Sequence, residues 1–85
     1  DQQLLLDVDL AILGAPPAVF DDYERQIVRE YQAVPTAAFR SNRRRILQGF
    51  LDRPRIYHTT AFHETREAQA RDNLGRSIRA LVAEQ

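Results

Sequence analysis

The chain has 85 residues and no cysteine, so it is one small domain or a piece of a larger one, without disulfides or zinc–thiolate sites. Twelve arginines balance twelve acidic residues, and this neutral charge makes nucleic acid and membrane surfaces unfavoured partners. Because no apolar run approaches the roughly 18–20 residues of a membrane span, we expect a soluble, cytoplasmic protein.

Apolar residues recur at spacings of three and four along the chain, which predicts an all-α fold of about four helices and no strand. The first helix is expected over residues 2–13, since Gly14 and then Pro16-Pro17 prevent it from continuing. The second helix is expected over residues 17–34 and ends at Pro35.

The second half of the chain is predicted to hold two longer helices separated by an extended linker. Thr36 is the expected N-cap of the third helix, which stops before Pro54 because the residue preceding a proline disfavours helical geometry. Residues 55–58 form the linker. The fourth helix opens with Thr60 as its cap and continues to about Ala83.

Three local features inside these helices lead to further predictions. Asp21 with Arg25, and Glu67 with Arg71, are four residues apart, a spacing that favours ion pairs on a helix surface. Gly75 weakens the fourth helix by about 1 kcal/mol relative to alanine. We therefore expect Gly75 to mark a close packing contact.

Asp9 is the residue that points most directly to a function. On a helix its neighbours three and four residues away are all aliphatic: Leu5, Leu6, Ile12 and Leu13. A carboxylate on such a face is costly to bury unless a cation or hydrogen-bond donors meet it. Asp9 is then either a metal ligand or charge partner inside a core, or the partner of an arginine from another helix, and the residues alone favour the arginine. Asp7 is expected on a mixed boundary face.

The other residues with reactive or charged side chains do not form a set. His58 and His63 are five apart, whereas two histidines that clamp a metal from one helical face need a spacing of three or four. Arg43 is expected to point inward and Arg44 and Arg45 toward water, since consecutive helical residues diverge by about 100°. The chain is therefore predicted to hold no complete active site.

The segment Leu5–Gly14, LLDVDLAILG, resembles the LDADLSILG motif of a bacterial family of predicted metal-dependent phosphohydrolases of the HD superfamily. The similarity covers nearly the whole chain. It continues through Arg29-Glu30-Tyr31, Val34-Pro35, Arg45-Ile46-Leu47, Phe50-Leu51, Arg53-Pro54-Arg55-Ile56-Tyr57 and Asn73-Leu74.

The resemblance implies an all-helical HD fold whose divalent metal (Mn, Fe, Mg or Ni) is held by a His, a His-Asp doublet and a later Asp. Asp9 matches that last ligand, and Asp7 matches a flanking acidic position that would orient water or support the metal. The sequence contains no His-Asp doublet, so the other three ligands are expected upstream of Asp1.

We therefore expect residues 1–85 to be the C-terminal part of a larger HD-type domain, without tightly bound metal on their own. Their expected partners are N-terminal HD-core helices or a second copy of the chain, and a phosphorylated small molecule or nucleotide in the complete protein. The alternative is a stand-alone helical module for protein interaction or oligomerisation. A third class, a helix-turn-helix-like nucleic-acid binder, is disfavoured by the neutral charge and scattered arginines.

Overall fold

A computed structural model describes residues 2–83, and this part of the chain is 80% helical and contains no strand. The predicted all-α fold is thus confirmed. None of the helices in this range is long and apolar enough to cross a lipid bilayer. The elements are α1 (Gln2–Asp9), a 3-10 helix (Ala11–Gly14), α2 (Pro17–Glu30), α3 (Thr36–Leu51) and α4 (Thr60–Ala83).

The long helix α4 is the centre of the packing. It contacts the 3-10 helix, α3 and α2, whereas α1 lies against the 3-10 helix. The buried apolar core comes from all of these elements except α1, and two of its members belong to the linker before α4. These core residues are Leu13, Phe20, Leu47, Ile56, Tyr57, Ala70 and Leu74.

The first helix is shorter than predicted, because α1 ends at Asp9 and a 3-10 helix follows it. The carbonyl of Leu10 accepts the backbone N–H of Leu13 at 3.1 Å, the i to i+3 bond of a 3-10 turn. The same carbonyl accepts the hydroxyl of Tyr57 at 2.8 Å. This change of path brings Leu13 into the core. The prediction of a continuous α-helix to Leu13 is therefore wrong.

The helix caps also differ from the prediction. Thr36 is the first residue of α3, and Pro35 occupies the cap position without a side-chain hydrogen bond. At the start of α4 the cap is Thr59 and not Thr60, since the Thr59 hydroxyl accepts the backbone N–H of Phe62 at 3.3 Å. The prediction missed this because both threonines are suitable cap residues and the choice depends on the path of the linker.

The predicted ion pair between Asp21 and Arg25 is wrong, because each residue has another partner. Arg76 of α4 reaches Asp21 at 2.7 Å, and Arg25 contacts Asp22 at 3.5 Å. The tertiary contact between α2 and α4 thus takes precedence over the local pair on α2.

Close packing occurs at Gly14 and not at Gly75. A Cβ atom added to Gly14 would lie 2.8 Å from both the Cβ and the carbonyl oxygen of Arg66, and 2.9 Å from the hydroxyl of Tyr57. At Gly75 the nearest atom would be the flexible end of Arg79, at 3.4 Å. The expectation of a close contact at Gly75 is wrong. Only a residue without a side chain lets the 3-10 helix approach α4 this closely.

Candidate functional site

The carboxylate of Asp7 joins α1 to the start of α4. Its Oδ1 accepts the backbone N–H of His58 at 2.7 Å, and its Oδ2 accepts the backbone N–H of Thr59 at 2.7 Å and the Thr59 hydroxyl at 2.6 Å. The side chain has no solvent exposure. Both oxygens of Asp7 are therefore occupied by donors from a segment about fifty residues away in the chain.

Asp7 remains ionised in this position. Burial by itself would raise the pKa of the carboxyl group, but the hydrogen bonds from Thr59 and from the His58 amide outweigh it and hold the pKa below the ordinary value. Asp7 was expected on a boundary face, because only apolar neighbours were taken to indicate burial. Asp7 is instead the buried member of the pair, since its partners are backbone and hydroxyl donors.

Asp9, two residues further along α1, is exposed to solvent. Residues two apart on a helix point about 200° away from each other, so Asp9 faces outward when Asp7 faces inward. The aliphatic face around Asp9 is open as well, since Leu5 is 67% and Leu6 44% exposed. Within residues 2–83 no arginine pairs with Asp9. In this part of the chain, both the burial of Asp9 and its pairing with an arginine are therefore wrong.

The two histidines lie near the start of α4, one before it and one in its first turn. His58 is exposed, and only its backbone N–H takes part in the contact with Asp7. His63 lies in the first turn of α4, where its Nδ1 is 3.2 Å from the carboxylate of Glu67. Among residues 2–83 no group of three acidic or histidine side chains is arranged to hold a metal ion. Asp9 alone would contribute one ligand.

A second buried carboxylate, Glu67 of α4, holds the linker. Its two oxygens accept the backbone N–H groups of Ile56 and Tyr57 at distances of 3.0 to 3.1 Å. The predicted pair with Arg71 is confirmed at 2.9 Å. Burial raises the pKa of Glu67, but these amide bonds, together with His63 and Arg71, lower it below the ordinary value overall. Glu67 is therefore a buried anion that orders the linker.

Arg71 and Asn73 complete this set of polar anchors on α4. The guanidinium of Arg71 donates to the carbonyls of Leu51 at 3.0 Å and Arg53 at 2.8 Å. The amide of Asn73 donates to the carbonyls of Leu13 at 2.9 Å and Ala15 at 2.8 Å. The buried role of Asn73 has no signal in the sequence, because its acceptors are backbone atoms about sixty residues away.

Comparison with known proteins assigns no family to this arrangement: no family model, no curated protein and no solved structure matches the chain. The geometry itself separates two roles. Asp7 is fully engaged within the fold, and Asp9 presents a free carboxylate at the end of the helix that Asp7 fixes. This arrangement can offer one anionic ligand from a defined position.

Proposed function

We propose that residues 1–85 form the C-terminal helical portion of a metal-dependent phosphohydrolase of the HD type, in which Asp9 provides one ligand of a divalent metal. One observation carries this proposal: Asp9 is an exposed carboxylate on an apolar face of α1, at the end of a helix that Asp7 ties to the rest of the fold. The resemblance of the Leu5–Gly14 segment to the family motif supports it.

The two aspartates have different tasks in this proposal. A metal ligand is most effective when neighbouring contacts fix its position before the metal arrives. Asp7 supplies that support, because its three hydrogen bonds hold α1 against Thr59 and the backbone of His58. Asp9 is then free to bind, and its place at the C-terminal end of α1, where the helix dipole is negative, favours a cation.

The exposed leucine face of α1 supports the part of the proposal that further helices pack against this chain. Leu4, Leu5, Leu6 and Val8 are between 43% and 67% exposed. In the complete phosphohydrolase this face would pack against HD-core helices that carry a His and a His-Asp doublet. Asp9 would then lie in apolar surroundings, where a carboxylate requires a cation.

The proposed substrate is a phosphorylated small molecule or a nucleotide, and the proposed location is the cytoplasm, with which the lack of cysteine is compatible. A divalent metal (Mn, Fe, Mg or Ni) bound there would polarise the phosphoryl oxygens and lower the pKa of a bound water. Asp9 would hold one side of that ion, and Asp7 would keep the end of α1 in place.

The test is an Asp9→Ala substitution in the complete protein, with Asp22→Ala, an exposed aspartate on α2, as the matched control. We expect Asp9→Ala to remove most of the metal, measured by elemental analysis, and most of the hydrolysis of nucleoside monophosphates. The Asp22→Ala protein should keep both. Full metal content and activity in Asp9→Ala would refute the assignment.

A stand-alone module for protein interaction or oligomerisation is the second candidate, and the same exposed α1 face favours it. In that function the leucines would bind a partner helix or a second copy, and Asp9 would have no ligand role. The two functions differ in one result. Only the phosphohydrolase predicts metal loss on Asp9→Ala in the complete protein, whereas both predict that Leu5→Glu weakens association.

A further inference from the structure

A second feature of the molecule is an open groove between α3 and α4, with a volume of about 620 Å³. Ligand pockets in proteins commonly span roughly 300–1,000 Å³. No residue of α1 or of the 3-10 helix lines this groove, so it is separate from Asp9. Four polar residues of α3 line it: Ser41, Arg44, Arg45 and Gln48.

The spacing of these residues explains how α3 forms one wall. Counted from Ser41, the others follow at three, four and seven residues, which is a single face of a helix. Arg44 and Arg45 lie on either side of the middle of that face and both line the groove.

Arg44 and Arg45 have no acidic partner within residues 2–83. Their neighbour Arg43 is paired with Glu24 of α2, with a distance of 3.1 Å between its Nε and the Glu24 Oε2. Within residues 2–83 neither Arg44 nor Arg45 makes an ion pair or a side-chain hydrogen bond. Two free guanidinium groups beside the Ser41 hydroxyl are donors that suit a phosphate dianion.

The floor of the groove is apolar and open. Ile78 and Val82 of α4 form it, and Val82 is 46% exposed. Gly49 of α3 lines the same groove, and a Cβ atom added there would meet no other atom within 4 Å. Glycine inside a helix is less favourable than alanine. No packing contact explains this cost, whereas the missing side chain leaves the groove wide.

The far end of the groove carries the opposite charge. Asp52 follows α3, and its Oδ1 accepts the side-chain amide of Gln48 at 2.9 Å. It is seven residues beyond Arg45, or about 10 Å along the helix axis. A ligand with phosphate at one end and hydrogen-bond donors at the other would complement both ends.

We propose that this groove binds a phosphate monoester of a small organic molecule, of which a nucleoside monophosphate is an example. The phosphate lies against Arg44, Arg45 and Ser41, and the organic part lies on Ile78 and Val82. The site is independent of the metal ligand Asp9 and does not rest on the proposed phosphohydrolase function.

Titration of the 85-residue chain with adenosine monophosphate, followed by amide chemical shifts, tests the site. We expect saturable binding with shifts concentrated on α3 and the end of α4. Arg44→Gln/Arg45→Gln should weaken binding at least about tenfold, since each charge-assisted hydrogen bond contributes substantially. The control is Arg29→Gln/Arg79→Gln, which removes two exposed arginines outside the groove and should change affinity less than about twofold.

Two further comparisons can overturn the proposal. Gly49→Leu should fill the groove and lower the affinity for adenosine monophosphate to that for inorganic phosphate. The affinity for inorganic phosphate itself should not change. Circular dichroism should confirm that the fold of this variant is intact. Equal affinity of the unmodified chain for inorganic phosphate and adenosine monophosphate would contradict an organic ligand. Equal losses in the two double variants, or binding of single-stranded oligonucleotides without binding of the monophosphate, would also overturn it.

Discussion

The side chains on the two sides of α1 differ in whether they have partners within the fold. On the inner side Asp7 is buried and accepts three short hydrogen bonds from the segment before α4. On the outer side Asp9 and the leucines face solvent, and Leu5 is 67% exposed. The inner side thus contributes to the stability of this fold. The outer side contributes little to it and is available to another surface.

The largest expected effect comes from removing the second buried carboxylate, Glu67 of α4, which holds the linker before that helix. Glu67→Ala leaves the amides of Ile56 and Tyr57 without their acceptor. It also removes the carboxylate to which the Nε of Arg71 donates. We expect a loss of about 3–5 kcal/mol in the free energy of unfolding, measured by urea denaturation with circular dichroism. Glu64→Ala, at an exposed position of the same helix, should change it by less than about 0.5 kcal/mol. Similar results for both variants would show that Glu67 does not order the linker.

The next effect concerns the contact between the 3-10 helix and α4. Gly14→Ala places a methyl group against the backbone of Arg66, which cannot move without shifting α4. We expect a loss of about 1–3 kcal/mol. Gly75→Ala, which meets only the flexible end of Arg79, should instead raise the free energy of unfolding by roughly 0.5–1 kcal/mol. The same denaturation assay measures both, and a stabilising Gly14→Ala would contradict the close approach.

Much of the helix pattern could be predicted from the sequence, but much of the site could not. Pro17 and Pro35 mark the starts of α2 and α3, and Pro54 follows the end of α3, so these helices begin or end within a few residues of the expected positions. The short length of α1 was missed because its end depends on a hydrogen bond from Tyr57 to the Leu10 carbonyl. Apolar periodicity cannot indicate a contact across 47 positions of the chain.

The same limit explains the reversal of the two aspartates. The prediction for Asp9 assumed that the helix continues to Leu13, so that Ile12 and Leu13 lie one turn above it. The change to a 3-10 helix moves those residues away, and Asp9 becomes the last residue of α1. The burial of Asp7 could not be predicted from the sequence, because it depends on hydrogen-bond donors from His58 and Thr59, about fifty residues away in the chain.

Acid should remove the stability that the two buried carboxylates, Asp7 and Glu67, contribute. The pKa values of Asp7 and Glu67 are lowered in the folded state from ordinary values of 3.8 and 4.5. As the pH falls, the unfolded chain therefore binds more protons than the folded chain. The stability that the two carboxylates contribute at neutral pH is lost as the pH falls through their pKa values in the folded state. We expect the free energy of unfolding to decline below about pH 4.5, by a smaller amount in Asp7→Asn. An unchanged decline in Asp7→Asn would exclude this residue as a cause.

The smallest expected effect on stability lies on the outer side of α1. Leu5→Glu replaces an exposed side chain, so the free energy of unfolding should change by less than about 0.5 kcal/mol. Association should change more, because exposed apolar patches favour self-association or partner binding. Sedimentation of the 85-residue chain should show a dimer or higher oligomer that Leu5→Glu dissociates, with Glu64→Leu as a control that does not. A monomer at high concentration in the unmodified chain would contradict this role of the outer side.

The division between Asp7 and Asp9 is tested most directly by two matched substitutions, Asp7→Asn and Asp9→Asn, compared by urea denaturation at neutral pH. Each removes one charge and changes the shape of the side chain little. We expect Asp7→Asn to lose about 2–3 kcal/mol, because charge-assisted hydrogen bonds to Thr59 and the His58 amide are weakened or lost. Asp9→Asn should stay within about 0.5 kcal/mol of the unmodified chain. Equal losses in the two variants, or a larger loss in Asp9→Asn, would contradict the assignment of Asp7 to the fold and Asp9 to binding.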